Sequence, residues 1–332
     1  MTNHKAEDFS AATPAGRGVL ITGASGFIGT QLARRFAALG SDLVCLDLKP
    51  PRERLAGVTY ITGDVRDLRN VEIPKVDRIF NLAAVHTTPG HPDHEYYDTN
   101  VNGALEVVRL AEAVGARSIT FTSSISIYGP SEERKTETST PAPVSAYGKS
   151  KLMAEKIHQG WLANGEGRAL TIVRPAVVFG AGEGGNFTRM AKLMRRGVFV
   201  FPGRRDTIKS CIYVEDLIDL FLAAEASSNS QVILNGSYPE CPTIETIVGT
   251  LQARYFPKAR LIDVPLGVVM GAAKALSALN GLGLGVHPDR VTKLVRSTHV
   301  FPQWASDNAL FAERNLASGL DRWATATRGS FV

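Results

Sequence analysis

The segment Thr22-Gly23-Ala24-Ser25-Gly26-Phe27-Ile28-Gly29 decides the fold of this chain. It follows a short apolar run, Val19 to Thr22, and it opens a helical pattern that runs from Phe27 to Leu39. A glycine turn between a strand and a helix lets the backbone approach a pyrophosphate, which the N–H groups of the helix N-terminus bind. Its G-x-x-G-x-x-G spacing differs from the general G-x-G-x-x-G fingerprint and therefore indicates one subfamily of dinucleotide-binding proteins.

Short apolar runs alternate with helical stretches as far as residue 173. After Val19–Thr22 we predict strands at Leu43–Leu48, Val58–Ile61, Arg78–Ala84, Ser118–Ser123 and Ala169–Val173, and further helices at Tyr96–Val114 and Tyr147–Leu162. This alternation is typical of parallel strands covered by helices on both faces. The predicted fold is α/β, a doubly wound parallel Rossmann sheet with a smaller mixed C-terminal substrate region.

Beyond Gly180 the alternation gives way to glycine-rich and proline-rich segments mixed with helices. We predict a disordered tail at 1–16, an NAD-binding Rossmann domain at 17–180 to which 205–236 returns, and a substrate-binding region at 181–204 and 237–332.

The composition is that of a globular protein, with 44% hydrophobic and 21% charged residues in 332. The net charge of +5 is spread along the chain, whereas nucleic-acid binders concentrate it in one patch, so no nucleic-acid partner is expected. Cys45, Cys211 and Cys241 have no metal-type or disulfide-type spacing. Together with a polar N-terminus that lacks a signal peptide, they favour a reducing, cytoplasmic location.

The apolar stretch from Val264 to Val286 approaches the length of a spanning helix. Lys274 near its middle and the glycines Gly281, Gly283 and Gly285 instead favour a buried or amphipathic helix that ends in a glycine turn. No membrane span is therefore expected.

Asp47 ends the second predicted strand, where a carboxylate can bind the adenosine ribose and repel a 2′-phosphate. This favours NAD over NADP, although Lys49, Arg52 and Arg54 lie just downstream and are able to bind a 2′-phosphate. Asp64 follows the third strand, at a place suited to the adenine edge.

Tyr147 and Lys151 stand at i and i+4 of a predicted helix and so share one face. A free tyrosine has a pKa of about 10, so half-ionisation at neutral pH needs about 4 kcal/mol. A nearby ammonium supplies a few kcal/mol at an effective dielectric of about 20. The pair therefore predicts a tyrosine that acts as a base at neutral pH.

Serine hydroxyls end the strand upstream, in Phe121-Thr122-Ser123-Ser124-Ile125-Ser126. Ligands of doubly wound sheets bind at this edge, and a hydroxyl there can position the reacting oxygen against the phenol. We favour Ser124 over Ser123 and Ser126 for this role, which makes Ser124, Tyr147 and Lys151 the predicted catalytic residues.

These motifs together resemble the NAD-dependent epimerase/dehydratase family of extended short-chain dehydrogenases/reductases, over nearly the whole chain after the tail. The runs Asn81–Ala84 and Tyr96–Gly103 add to the resemblance, and Tyr147–Met153 is similar to the same run of UDP-galactose 4-epimerases. The resemblance implies NAD as cofactor, a homodimer formed through two helices, and an Asn100 that supports the active-site helix. The predicted cofactor-binding residues are Gly23, Ser25, Gly26, Phe27, Ile28, Gly29, Asp47, Asp64, Val65, Ala83, Ala84, Asn100, Ser123, Tyr147, Lys151 and Pro175.

The resemblance also implies a nucleotide-diphosphate sugar, with UDP favoured, as substrate. Asn186, Lys209 and Arg290 are the candidate diphosphate contacts, and His86, Ser124 and Ser126 are expected to face the sugar. Val177 stands where nucleotide-sugar enzymes commonly have Asn, which leaves room for relatives that act on sterols or other alcohols. His86, His91 and His94 have no recognised ligand spacing, so no metal is expected.

Ile125 and Ser126 stand where 4,6-dehydratases of this family carry an Asp-Glu pair and the related decarboxylases carry a Glu, which disfavours both reactions. The leading hypothesis is 4-epimerisation through a transient 4-keto sugar. The alternatives are a net NAD(P)-dependent oxidation or reduction of a 4-keto nucleotide sugar or a sterol-like alcohol, and a non-catalytic dinucleotide sensor.

Overall fold

The structure, a computed structural model, describes residues 18–88, 90–271, 292 and 294–332. Its centre is a sheet of seven parallel strands in the order β11-β7-β5-β4-β1-β2-β3. These strands are β1 (Val19–Thr22), β2 (Leu43–Asp47), β3 (Thr59–Thr62), β4 (Arg78–Asn81), β5 (Ser118–Thr122), β7 (Ala169–Pro175) and β11 (Gln231–Gly236).

The order of the strands shows how the sheet is wound. From β1 the chain moves outward through β2 and β3, and it then returns to the other side of β1 to form β4, β5 and β7. The direction reverses between β1 and β4, and a crevice opens at the carboxyl ends of strands that flank such a switch point. The predicted doubly wound parallel sheet is confirmed.

Helices cover both faces of the sheet because successive strand residues point to opposite sides. Ile21 and Phe80 pack into a core that includes Phe36 and Phe221, whereas Leu20 and Ile79 pack into a second core. The helices are α1 (Phe27–Ala38), α2 (Asp93–Tyr97), α3 (Gly103–Val114), α4 (Ala146–Ala163), α5 (Asn186–Arg195), α6 (Val214–Glu225), α7 (Ile244–Tyr255), α8 (Gln303–Asp307) and α9 (Leu316–Ala326).

Three parallel strand pairs lie outside the central sheet, and they join distant parts of the chain. They are β8 (Val177–Phe179) with β10 (Cys211–Tyr213), β9 (Val198–Pro202) with β12 (Arg260–Val264), and β6 (Ser131–Lys135) with β13 (Thr298–Val300). The substrate-side segments therefore close on one another and on the segment that follows β5.

One predicted helix differs from the structure. The pattern Tyr96–Val114 is divided into the end of α2, a π-helical turn at Asp98–Asn102, and α3. Single π turns inside helices are rare and occur often at functional sites. The sequence misses the division because the apolar spacing continues through the turn.

The predicted helix in Val264–Val286 lies mainly outside the described residues, as do the N-terminal tail and Arg290. Among the residues that the structure does describe, no helix is both long and apolar enough to cross a membrane.

Candidate active site

The glycine loop joins the carboxyl end of β1 to α1. Gly23 has a positive φ of 72°, and a Cβ there would lie 2.6 Å from the Ala83 nitrogen. A Cβ on Gly29 would lie 2.3 Å from the Gly23 oxygen. Both glycines are thus required for the loop to lie against α1 and the segment after β4.

The N-terminus of α1 suits an anion. Gly26 stands at the N-cap, no side chain hydrogen bond caps the helix, and its first turn, Phe27, Ile28 and Gly29, holds no acidic residue. The N–H groups and the positive end of the helix dipole therefore point to a site for a pyrophosphate. The loop fits a dinucleotide on these grounds.

Asp47 ends β2 and fixes the loop from the other side. Its carboxylate accepts the backbone N–H groups of Ser25 and Lys49, each at 2.9 Å. Arg52 donates to the Ser25 oxygen at 3.1 Å and to the Gly182 oxygen at 2.8 Å, and Arg54 lies over the Tyr60 ring. Because these arginines have other partners, the carboxylate of Asp47 is the group at the end of β2 that is suited to a ribose, as expected for NAD.

The remaining predicted cofactor residues surround the same crevice. Ala83 and Ala84 follow β4, and Pro175 ends β7. Val65 is buried against Gly103, and Asp64 pairs with Arg66, whose guanidinium lowers the Asp64 pKa. The Ser123 hydroxyl is buried and has no hydrogen-bond partner in the described part of the chain. An unpaired buried hydroxyl is costly, so Ser123 is suited to a cofactor contact.

The three predicted catalytic residues lie together at the carboxyl end of β5. Ser145 caps α4 by accepting the Gly148 N–H at 3.1 Å, which places Tyr147 in the first turn. Ser124 lies near the Tyr147 side chain and donates to the Ser126 hydroxyl at 3.1 Å. A Cβ on Gly148 would lie 2.5 Å from the Ser126 oxygen, so this glycine permits the close approach.

Lys151 lies one turn further along α4 and is 2% exposed. Its ammonium donates to the Thr122 carbonyl at 2.8 Å and lies 4.8 Å from the centre of the Phe121 ring. The end of β5 therefore orients Lys151 beside the segment that carries Ser123 and Ser124.

Burial opposes the ionisation of both members of the pair. It raises the pKa of Tyr147 to about 12, although the neighbouring Ser124 lowers it in part. Burial also lowers the pKa of Lys151 to about 7, against the opposing effect of Glu155. The low dielectric around the pair thus destabilises both charges, and the action of Tyr147 as a base at neutral pH stays a prediction.

Asn100 connects the active-site helix to the segment after β4. Its carbonyl accepts the Val85 N–H at 3.0 Å, and its amide donates to the Val85 oxygen at 3.1 Å and to the Ser150 hydroxyl at 2.9 Å. His86 follows Val85 at the mouth of the crevice, where the surrounding protein and the Lys151 charge lower its pKa. Through Asn100, the π turn thus joins the helix that carries Tyr147 to the segment that carries His86.

A buried network behind the site is absent from the sequence-based prediction. Arg174 forms a two-point ion pair with Glu155, at 3.0 and 2.8 Å, and donates to the Tyr128 hydroxyl at 2.7 Å. It joins α4 to the turn that carries Ser124 and Ser126. One feature of the sequence pointed to this network: Glu155 stands at i+4 from Lys151, so the two residues share a helical face.

The predicted diphosphate contacts are less well placed. Asn186 begins α5, and its side-chain oxygen accepts from Arg189 at 3.3 Å. Lys209 donates to the Arg296 carbonyl at 2.5 Å, and burial lowers its pKa to about 8. Val177 lies in β8, paired with Cys211 of β10. Arg290 lies outside the described residues, and the roles of these candidates stay predictions.

Comparisons with known proteins agree with this geometry. The model of the NAD dependent epimerase/dehydratase family matches residues 19–235. The chain belongs to this family. NAD is the cofactor in the family's description, and the glycine loop and Asp47 fit this dinucleotide.

Two relatives are similar in sequence. The N-acetyl-alpha-D-glucosaminyl-diphospho-ditrans,octacis-undecaprenol 4-epimerase of Escherichia coli O157:H7 is 30% identical over 92% of this chain and 93% of its own. The UDP-glucose 4-epimerase of Lactobacillus helveticus is 27% identical over 62% of this chain and 71% of its own.

Solved structures share the fold. The UDP-glucose 4-epimerase of Thermotoga maritima, described with UDP-glucose, has a TM-score of 0.76 at 19% identity and covers 95% of this chain and 100% of its own. MoeE5 in complex with UDP-glucose and NAD has a TM-score of 0.70 at 22% identity, with 95% of this chain and 100% of its own covered.

Proposed function

We propose that this protein is an NAD-dependent 4-epimerase of a hexose that is joined through a diphosphate to a carrier. The observation that carries the proposal is that Ser124, Tyr147 and Lys151 come together at the carboxyl end of β5, where Lys151 donates to the Thr122 carbonyl and the first turn of α4 lies against the Ser126 carbonyl. The E. coli relative, which is 30% identical over 92% of this chain, is named a 4-epimerase, and this supports the same reaction.

The protein's own groups divide the work. Ser124 holds the reacting sugar oxygen, and Tyr147 takes the proton of the 4-hydroxyl and later returns it. When bound, NAD supplies a reversible hydride acceptor whose positive nicotinamide ring also favours a phenolate nearby. Lys151 adds a second cation, which the low dielectric strengthens.

The same segment argues against other reactions of this family. Dehydration needs a further acid and base beside the sugar, but Ile125 is 8% exposed in a buried cluster and Ser126 offers only a hydroxyl. His86 at the mouth of the crevice is not paired with a carboxylate in the described residues. A 4-keto sugar, formed when Tyr147 takes the hydroxyl proton and the C4 hydride goes to NAD, is therefore expected to be reduced again rather than eliminated.

Two carriers are compatible with a diphosphate. UDP is the leading candidate, and Asn186, Lys209 and Arg290 are the residues proposed to contact its diphosphate. His86 and Ser126 are proposed to face the sugar. A polyprenyl diphosphate is the second candidate, because the E. coli relative is named for an undecaprenol-linked sugar. Lys209 has a carbonyl partner, and Val177 replaces the usual Asn, which weakens specific recognition of a nucleotide.

The experiment is an isomerisation assay without added nucleotide cofactor. The purified protein is incubated with UDP-glucose, UDP-N-acetylglucosamine or the corresponding polyprenyl-diphosphate sugars, and the 4-epimers are separated by chromatography. The proposal expects interconversion with no net change in nicotinamide absorbance. A stoichiometric absorbance change would instead establish the runner-up activity, a net dehydrogenase or reductase.

We also propose a homodimer formed through α3 and α4. Leu105 and Met153 are exposed on these helices, at 41% and 48%, and the family commonly pairs through two helices. Light scattering on the wild type and on Leu105→Asp tests this, since a charge on the shared face should give monomers.

We retain two further proposals from the sequence. One is the division into a Rossmann part (17–180 with 205–236) and a substrate-binding part (181–204 and 237–332). The other is a cytoplasmic location, supported by Cys45, Cys211 and Cys241, which are all buried free thiols.

A further inference from the structure

The outer face of the β9–β12 ribbon carries a group of exposed apolar side chains. Parallel pairing sets Val200 beside Ile262, and these residues are 39% and 43% exposed. Leu266 and Val268 follow β12 in a helical segment at 266–271 and are 38% and 61% exposed. We call these four residues the ribbon patch.

The ribbon patch is one-sided. Alternate residues of β9, Phe199 and Phe201, are buried in the core. Because strand side chains alternate between faces, Val200 and Ile262 must point away from the protein. Other exposed large apolar residues in the described part of the chain, such as Leu48 and Val332, are not next to one another in sequence or in a sheet. A contiguous apolar surface on a folded protein marks an interaction site.

Basic residues flank the ribbon patch. Arg260 pairs with Val198 in the register, so it shares the outward face with Ile262, and Lys258 precedes it. Both are exposed, and neither has an acidic partner among the described residues. Arg196 is exposed just before β9. Apolar side chains bordered by lysine and arginine are typical of surfaces that bind the interface of an anionic bilayer.

The ribbon patch is connected to the substrate side of the protein. Arg205 follows β9 and pairs with Asp263 of β12 at 2.6 Å, and the neighbouring Arg204 pairs with Glu132 of β6 at 2.8 Å. The chain then continues directly to Lys209, a proposed diphosphate contact. A bilayer against the ribbon would therefore lie near the segment that leads to the proposed diphosphate contact.

We propose that the ribbon patch docks on an anionic phospholipid bilayer and that the substrate's carrier is a lipid held in that bilayer. The choice of carrier rests on the proposed function, whereas the docking does not. A bilayer is favoured over a second copy of the chain because the patch combines apolar side chains with cations that have no acidic partner among the described residues. An anionic bilayer provides both the apolar interior and the negative charge that such a surface binds.

The test is co-sedimentation with vesicles of phosphatidylcholine alone or mixed with phosphatidylglycerol. The double variant Val200→Asp/Ile262→Asp and the variant Arg260→Glu are compared with Val332→Asp and Arg117→Glu, which change exposed residues elsewhere. Thermal unfolding and NAD binding identify any variant that fails to fold. We expect wild type to bind the mixed vesicles, the first two variants to bind about tenfold more weakly, and the two controls to bind like wild type.

Several results would overturn the proposal. They are no binding by wild type, equal binding by all variants, or a wild-type oligomer that the double variant dissociates, which would assign the ribbon patch to a second copy. Amide hydrogen exchange at 260–264 that vesicles leave unchanged would also count against it. If no sugar is epimerised but the vesicle results hold, the proposed function fails and the docking surface stands.

Discussion

Replacing Lys151 with Met should stabilise the protein at neutral pH, although it removes a proposed catalytic residue. Burial lowers the Lys151 pKa from 10.5 to about 7, so the folded state binds fewer protons than the unfolded state between these values. Stability therefore rises with pH through this window. In wild type freed of nucleotide, Lys151 should add about 2 kcal/mol to the free energy of unfolding between about pH 7 and about pH 9.

In Lys151→Met this contribution should disappear, leaving the smaller rise from Lys209, whose pKa burial lowers to about 8. The variant should also be more stable than wild type at neutral pH, because the cost of burying the lysine charge is removed. The gain is smaller than that cost, since the hydrogen bond to the Thr122 carbonyl and the contact with Phe121 are lost. Urea unfolding at the two pH values measures both effects. Lys149→Met, an exposed lysine on the same helix, is the matched control and should keep the wild-type slope.

Identical pH slopes in wild type and Lys151→Met would refute the reasoning. They would mean that the lysine is hydrated in the folded protein, and the explanation of its low pKa by burial would then fail. The same result would also contradict the conclusion that the surroundings of Lys151 and Tyr147 have a low dielectric.

Three further predictions concern single residues. Tyr147→Phe should keep NAD binding, measured by fluorescence titration, but lose at least about 10³-fold in turnover because no other group takes the proton. Asp47→Asn should shift the ratio of NAD to NADP affinity towards NADP by about tenfold, since the repulsive charge is removed; an unchanged ratio would contradict the assignment of Asp47 to the ribose. Asp216→Ala should cost about 2–4 kcal/mol in urea unfolding, because it leaves the buried Tyr238 hydroxyl and two arginines, Arg314 and Arg322, without their shared partner. A cost below about 1 kcal/mol would show that these groups find water instead.

The sequence predicts the central sheet well because its strands are short apolar runs that end at turns. The strand at Val19–Thr22 agrees with the structure at both ends, and the helix predicted from Tyr147 begins one residue earlier, at Ala146, where Ser145 supplies the cap. Local patterns of this kind need no knowledge of the rest of the fold.

Features that depend on distant contacts are not readable in the same way. The pKa of Lys151 is set by burial and by the end of β5, and nothing in the Tyr-x-x-x-Lys spacing reports either. The buried pair of Arg174 and Glu155 joins elements far apart in the chain. Lys209 donates to the Arg296 carbonyl, and this contact between segments far apart in the chain cannot be read from the residues around Lys209.

The most direct test of the central claim follows the hydrogen at C4 of the substrate. The protein is incubated with a UDP-hexose, or the corresponding polyprenyl-diphosphate sugar, that carries deuterium at C4, and the 4-epimer is analysed by mass spectrometry and NMR. Transient oxidation at C4 predicts that the product keeps the deuterium at C4 and gains no solvent hydrogen there. Loss of the deuterium to water would contradict this account, because it would show that the inversion proceeds by proton removal from carbon.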